Sequence, residues 1–328
     1  MFEKKKILLV GGAGYIGTEL VKHLLSDYEV TIYDLFIFGN NFSKTSNNLK
    51  IIKGDIRDIN FFTKHLKDYF AVIHLACISN DPSFDLNPDL GKSINYDFFE
   101  QLVINCKNSG VKRFIYASSA SVYGVKSEKN VSENSSLEPL TDYSKYKALC
   151  EDIVLKHADK NFVSTILRPA TVCGYSERQR LDLVVNILTN IAFNKKEITI
   201  FGGNQLRPNL HIFDMCMAYK TLLESEELKI NKKIYNVGFE NHKVSYLANI
   251  VKNIIGEDVK LIYVQSDDNR SYHISSNKIQ EELNFKPKLT VEDAVKDLKF
   301  AFEKNLLFDP LNNEMYFNIK RMKSINLN

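Results

Sequence analysis

The chain has 328 residues, 44% hydrophobic and 25% charged, with a formal net charge of +3. So small a charge, with Lys and Arg scattered rather than gathered into a stripe, gives no argument for a nucleic-acid partner, and none is expected; no apolar run nears the ~18 residues needed to cross a bilayer. Five widely spaced cysteines (Cys77, Cys106, Cys150, Cys173 and Cys216) fit neither a disulfide framework nor a zinc site, so no metal is expected and a reducing, cytoplasmic setting is.

The first element, KILLVGG, is a short apolar strand that stops at glycines, with Lys4, Lys5 and Lys6 as its solvated flank. It begins so near the N-terminus that no signal peptide is expected. The turn Gly11-Gly12-Ala13-Gly14-Tyr15-Ile16-Gly17 leads into TELVKHLLSD, which has helical periodicity, and EVTIYD returns as a strand ending at Asp34. Glycines at this spacing permit a tight turn and a close approach to a pyrophosphate, which the N-terminus of the helix can hold. A glycine turn alone could be no more than a tight connection. Asp34 changes that, because an acid at this separation binds the adenosine ribose hydroxyls. It would also repel a 2′-phosphate, and Leu35 to Ser43 contain no Lys or Arg to welcome one. The expected cofactor is NAD rather than NADP. The next strand, LKIIKGD, ends at Gly54-Asp55-Ile56, where an acid can meet the adenine amino group.

AVIHLA, the helix DFFEQLVINCKNSG, KRFIYASS, the helical TDYSKYKALCEDIVLKHA and FVSTILRP continue the alternation. Strands separated by helices of this length imply an α/β fold: a Rossmann-type, doubly wound parallel sheet over residues 1–170. Ligands of such sheets sit at the carboxyl ends of the strands. One of those ends, FIYASSASVYG, delivers Ser118, Ser119 and Ser121 to its tip. Tyr143 and Lys147, four apart, share a helical face, whereas Lys145 and Tyr146 lie on others. A lysine ammonium and a positive nicotinamide ring would both favour the Tyr143 phenolate. That base could take a hydroxyl proton while hydride leaves the same carbon.

After Pro169 the strands shorten (ITIF, KIYNVG, VKLIYV), polar loops lengthen and helices such as DLVVNILTNIAF intervene. This reads as a smaller C-terminal α/β lobe over residues 171–310, interleaved with the first domain and carrying substrate contacts. The tail, 311–328, has no placement.

GGAGYIG, Asp34, GDIRD, VIHLA, SSASVYG, YSKYK and LRPATVCG occur in an order that resembles the extended short-chain dehydrogenase/reductases. Within them the chain is similar to the NAD-dependent epimerase/dehydratase family acting on nucleotide sugars, UDP-glucose 4-epimerases included. The resemblance implies Ser119, Tyr143 and Lys147 as catalytic residues. It places Gly11, Gly14, Tyr15, Ile16, Gly17, Asp34, Asp55, Ile56, Leu75, Ala76, Ser79, Asn95, Ser118, Tyr143, Lys147 and Pro169 around NAD. Ser119, Thr171, Arg180, Arg207 and Arg270 fall to the substrate, a UDP- or GDP-linked sugar. Arg207 and Arg270 match arginines that clamp a diphosphate; Arg178 and Arg180 are weaker matches, and Thr171 stands where 4-epimerases often carry Asn. His211 and Asp214 are expected to hold the lobe together, and Cys173 to pack.

Family 4,6-dehydratases follow the catalytic serine position with Asp-Glu. Here those places are Ala120 and Ser121, which cannot remove water, and the cysteine of the GDP-fucose synthase branch is absent too. What remains is hydride chemistry at C4: a 4-epimerase working through a 4-keto sugar, or a net 4-dehydrogenase or ketoreductase. The stretch ISNDPSFDLNP (Ile78 to Pro88) resembles a branch tied to surface-polysaccharide sugars, including enzymes that oxidise GDP-linked heptoses. A dinucleotide-sensing regulator on the same fold is the third alternative, and the intact Ser119, Tyr143 and Lys147 weigh against it. The resemblance also implies a homodimer paired through the helices after Asn95 and Tyr143.

Overall fold

The computed structural model describes residues 4–42, 46–266, 271–325 and 327. Its strands in chain order are β1 (Lys6–Val10), β2 (Glu29–Asp34), β3 (Leu49–Lys53), β4 (Ala71–His74), β5 (Arg113–Ala117), β6 (Val163–Pro169), β7 (Thr171–Cys173), β8 (Glu197–Phe201), β9 (Leu206–His211), β10 (Lys233–Val237), β11 (Glu240–Lys243) and β12 (Lys260–Val264). Seven of them form one sheet in the order β10-β6-β5-β4-β1-β2-β3. Every pairing in it is parallel.

Successive strand residues point to opposite faces, and both faces are covered. Ile7, Leu9, Ile32, Ile73, Ile115 and Leu167 pack beneath the helices Tyr15–Leu24 and Ile212–Glu224. Leu8, Val10, Val72, Phe114, Tyr116 and Ile166 pack beneath Phe99–Asn108 and Asp142–His157. Double burial explains the unbroken apolar runs. Each fully buried Leu or Ile contributes roughly 1.5–3 kcal/mol. The winding direction reverses between β1 and β4, and there the adjoining loops part to leave a crevice.

The smaller lobe holds a three-stranded sheet, β11-β9-β7, and a parallel pair, β12-β8. Val185, Leu188, Ile198, Leu247, Val251 and Val295 form its core beneath the helices Val184–Lys195, Val244–Ile255 and Val291–Glu303. One expected member of this lobe lies elsewhere. KIYNV is β10, which pairs in register with β6 from Lys233 against Thr165 to Val237 against Pro169 and closes the edge of the main sheet. Its apolar alternation suits either sheet. The decision comes from the preceding helix Ile212–Glu224, which shares the main core with Tyr15–Leu24 and so returns the chain to β6.

The tail also finds a place. It forms the helix Asn318–Ile325 and buries Met322 in the main-sheet core. Among the described residues no helix is long and apolar enough to cross a membrane.

Candidate active site

A cleft of about 490 Å³ opens at the carboxyl ends of the main-sheet strands. At one end the glycine turn forms its floor. Gly11 has φ +81°, and a Cβ there would lie 2.4 Å from the Ala76 backbone nitrogen; one on Gly17 would lie 2.5 Å from the Gly12 carbonyl oxygen. No side chain caps the helix at Gly14. The N–H groups and positive dipole end of Tyr15, Ile16 and Gly17 are therefore left for an anion. Asp34 is fixed by two backbone donors, Ala13 N–H to Oδ2 at 3.0 Å and Phe36 N–H to Oδ1 at 2.8 Å. Burial raises its pKa against those bonds, so hydroxyl donors from a ribose would complete its shell. A cradle that a Cβ would fill, an uncapped helix end and a pinned acid together fit a dinucleotide.

Two side chains at this end also engage neighbouring residues. The Asp55 carboxylate is engaged by Arg57, with Nη2 donating at 2.7 Å and Nε at 3.0 and 3.1 Å. Burial opposes its charge, but Arg57 holds it below the usual carboxylate range. Asp55 and Ile56 line the wall, with the acid held in place by Arg57. Tyr15 lines the cleft, yet its hydroxyl donates to Gly174 O at 2.6 Å and accepts from Asn186, so the side chain ties the glycine turn to the lobe.

Arg178 belongs to this end rather than with the diphosphate arginines. Its guanidinium stacks on Phe38 at 3.7 Å, and Nη2 donates to Asn318 Oδ1 at 2.9 Å. Burial and then Arg180 pull its pKa below the ordinary value, while Asp34 pulls the other way.

Leu75, Ala76, Ser79 and Pro169 continue the wall toward the serine tip. Tyr143 is buried at 9% exposure and shares the cleft wall with Ser119. Ser119 Oγ also accepts from Ser121 N at 3.1 Å and Ser121 Oγ at 2.9 Å. Lys147 shares the helical face as expected, but its ammonium turns to the strand. It donates to Ala117 O at 2.5 Å and stands 5.9 Å from the Tyr143 ring centroid. Burial, then the Cys77 and Asp81 charges, raise the Tyr143 pKa well above its ordinary value; the neighbouring Ser119 and Arg180 lower it. The carbonyl claims the lysine because a buried ammonium must fill its donors.

Two further expectations are revised. Asn95, on a π-helical turn, donates to Ile78 O at 3.0 Å and accepts from Ile78 N at 2.8 Å, so it sets the loop after β4 and lies behind the cleft wall. Ser118 reaches the wall but sends its hydroxyl inward to Glu151.

At the far end, Arg180 donates from Nε to Asp182 at 2.8 Å and from Nη1 to Ser79 Oγ at 3.0 Å. Its buried Nη2 has no protein partner among the described residues and is left for a ligand acceptor. Thr171 and Arg207 share this wall, with the Arg207 guanidinium 5.6 Å from the Tyr272 ring centroid. Arg270 lies outside the described residues. His211 pairs with Asp297 at 3.2 Å, Asp214 accepts from Lys288 N and Leu289 N, and Cys173 is buried.

Sequence reasoning missed Asp81, which accepts from Thr141 at the head of the Tyr143 helix, and the tail. Asn318, Met322 and Leu327 line the cleft, and Arg321 Nε donates to Ile37 O at 2.5 Å across 284 residues of chain. No local motif signals such a contact.

The family model for the NAD dependent epimerase/dehydratase family matches residues 7–238. A UDP-glucose 4-epimerase of Lactobacillus helveticus is 28% identical over 308 residues, spanning 86% of this chain and 92% of that protein. A dTDP-D-glucose 4,6-dehydratase of Mus musculus is 28% identical over 324 residues, spanning 92% of this chain and 89% of that protein. A UDP-glucuronic acid 4-epimerase from Bacillus cereus, solved with UDP-glucuronic acid and NAD, superposes with a TM-score of 0.82 at 27% identity, covering 92% of this chain and 99% of that one.

Proposed function

The chain belongs to the NAD-dependent epimerase/dehydratase family and is an NAD-dependent enzyme of the nucleotide-sugar epimerase/dehydratase type, and we propose that within this family it is a nucleotide-sugar 4-epimerase. The observation that carries this choice is the serine tip. Ser119 and Tyr143 line the cleft together, while the adjacent Ala120 and Ser121 offer no acid and base for removing water. Similarity alone does not separate the two chemistries, since an epimerase and a dehydratase match equally well.

Bound NAD supplies a hydride acceptor, and later a donor, at the sugar carbon. Tyr143 takes the C4 hydroxyl proton and returns it when hydride comes back to the other face of the 4-keto sugar. Its burial keeps the phenol neutral until positive charge favours release. The Ser119 hydroxyl orients the reacting oxygen. Lys147 fixes the strand tip through Ala117 and keeps a positive charge on the Tyr143 face of the helix. Arg180 and Arg207 hold the diphosphate or the sugar's polar groups, as planar donors suited to anionic oxygens.

The tail favours a retained cofactor. Asn318, Met322 and Leu327 line the cleft, with Asn318 bonded to the Arg178 beside Asp34, and an epimerase regenerates its NAD each cycle without exchanging it. The test is incubation of the purified protein with UDP-, GDP-, CDP- and dTDP-sugars, followed by mass and absorbance. Product of unchanged mass and altered retention, with no NADH, is expected. Loss of two hydrogens with NADH appearing would replace this reading by net 4-dehydrogenation, of which a GDP-linked heptose is one candidate substrate. We also propose a homodimer, because Phe98 and Leu149 remain exposed on adjoining helices; light scattering at the mass of one chain would refute it.

A further inference from the structure

Tyr143, Lys147 and Glu151 stand four apart, on one face of the helix Asp142–His157. All three stand against the strand tip. Lys147 is bonded to the carbonyl of Ala117 and Glu151 to the hydroxyl of Ser118, while Tyr143 shares the cleft wall with Ser119. Two consecutive tip residues are thus held by two successive turns of one helix, and the turn before them brings Tyr143 to the cleft beside the third.

Glu151 is itself gripped from β6. Arg168 donates from Nε to both carboxylate oxygens, at 2.9 and 3.2 Å, and from Nη2 to Oε2 at 2.5 Å. Its Nη1 donates to the Tyr123 hydroxyl at 2.8 Å, which donates to Asn236 Oδ1 on β10 at 2.7 Å. The two charged side chains are only 2% and 3% exposed. A buried pair of this kind is weak as a stabiliser, since apolar replacements often do as well. Its use lies in what it fixes. Ser119 has extended backbone angles, φ −157° and ψ 147°, and neighbouring extended residues point to opposite sides. Drawing the Ser118 hydroxyl inward therefore turns Ser119 outward, toward Tyr143 and the cleft.

We propose that Glu151, locked by Arg168, is a positioning residue that sets Ser119 against Tyr143 for the reaction. This rests on the roles given to Ser119 and Tyr143 above. The test is Ser118→Ala, which cuts the link to the tip while leaving the ion pair whole, so that no buried charge is orphaned. Turnover is measured with the panel sugar nucleotide that reacts, beginning with UDP-glucose.

The expected result is a fall of at least about tenfold in kcat with KM and bound NAD unchanged. The rising limb of the kcat–pH profile moves to higher pH, because Ser119, whose nearness favours the phenolate, is no longer held in place. Amide exchange across residues 118–124 becomes faster, and Ser118→Thr restores kcat. Unchanged exchange and kcat would overturn the proposal. Faster exchange with unchanged kcat would overturn it too, by showing that tip order does not matter to the chemistry. A loss of bound NAD as the sole effect would make Ser118 a cofactor ligand instead. Turnover retained by Tyr143→Phe would remove the base from the earlier reading, and the Ser118→Ala kcat would still decide the role of the tip.

Discussion

The two ends of the cleft are assembled differently. At the cofactor end, Gly11, Gly14, Gly17, Asp34 and Ile56 come from one early run of chain, and the glycine turn acts through backbone. At the reacting end, Ser79, Ser119, Tyr143, Thr171, Arg180 and Arg207 arrive from loops and helices spread over the whole fold. Holding a phosphate needs only N–H groups and room, which one strand-turn-helix unit supplies. Moving a proton needs side chains at fixed separations, which only tertiary packing can set. Substitutions should therefore divide cleanly, some lowering turnover and others loosening the cofactor.

Tyr143→Phe carries the largest expected effect. It removes one hydroxyl from a buried residue and should lower kcat by roughly 10²–10⁴-fold. Bound NAD, released by denaturation and quantified by chromatography, should stay at the wild-type level. A protein emptied of NAD would show the ends to be one unit. Arg207→Ala comes next. Losing a charged hydrogen bond worth about 1.5–3 kcal/mol should raise KM for the sugar nucleotide by roughly 10–100-fold, again with NAD retained. An unchanged KM would take Arg207 out of the substrate site.

The same division decides what was legible in the sequence. The glycine turn, Asp34, the serine tip and the Tyr143–Lys147 spacing are local patterns with direct physical meaning, and each occupies the cleft. Where the Lys147 ammonium points was not legible, because helical periodicity sets a face and not the competition between a phenol and the Ala117 carbonyl. The partners of Asn95 and Ser118 were not legible either. Ile94 and Ser118 border the cleft, but the Asn95 and Ser118 side chains are used on Ile78 and Glu151. The strand KIYNV lacked any mark of its sheet, and the tail any mark of its distant partner Ile37.

Asp34→Ala sharpens the comparison from the cofactor side. It should weaken NAD by at least about tenfold, the worth of one charge-assisted hydrogen bond of about 1.5 kcal/mol, and leave KM for the sugar nucleotide unaltered. Removing the carboxylate also leaves the Arg178 guanidinium as the main charge nearby. Relative affinity for NADP should therefore rise, measured as the ratio of the two dissociation constants. An unchanged ratio would mean that Asp34 does not face the ribose.

Asn318 is where the division should fail, because this one side chain serves both ends. Its Oδ1 accepts from Arg178, beside Asp34, and its Nδ2 donates at 3.1 Å to Ser79 Oγ, which also accepts from Arg180. Its backbone N–H donates to Asp182 at 3.0 Å and survives any substitution. Asn318→Ala should thus loosen the two arginines without detaching the helix. Leaving a buried guanidinium short of one partner costs about 1–3 kcal/mol, spread over both ends, so each parameter should move only a few-fold. NAD release, followed after dilution into excess labelled NAD, should quicken, and KM for the sugar nucleotide should rise with it. If only release quickens, Asn318 belongs to the cofactor end and the division holds throughout the cleft. If both move, the tail couples cofactor retention to substrate binding, which is how a site built at two distances along the chain could still act as one.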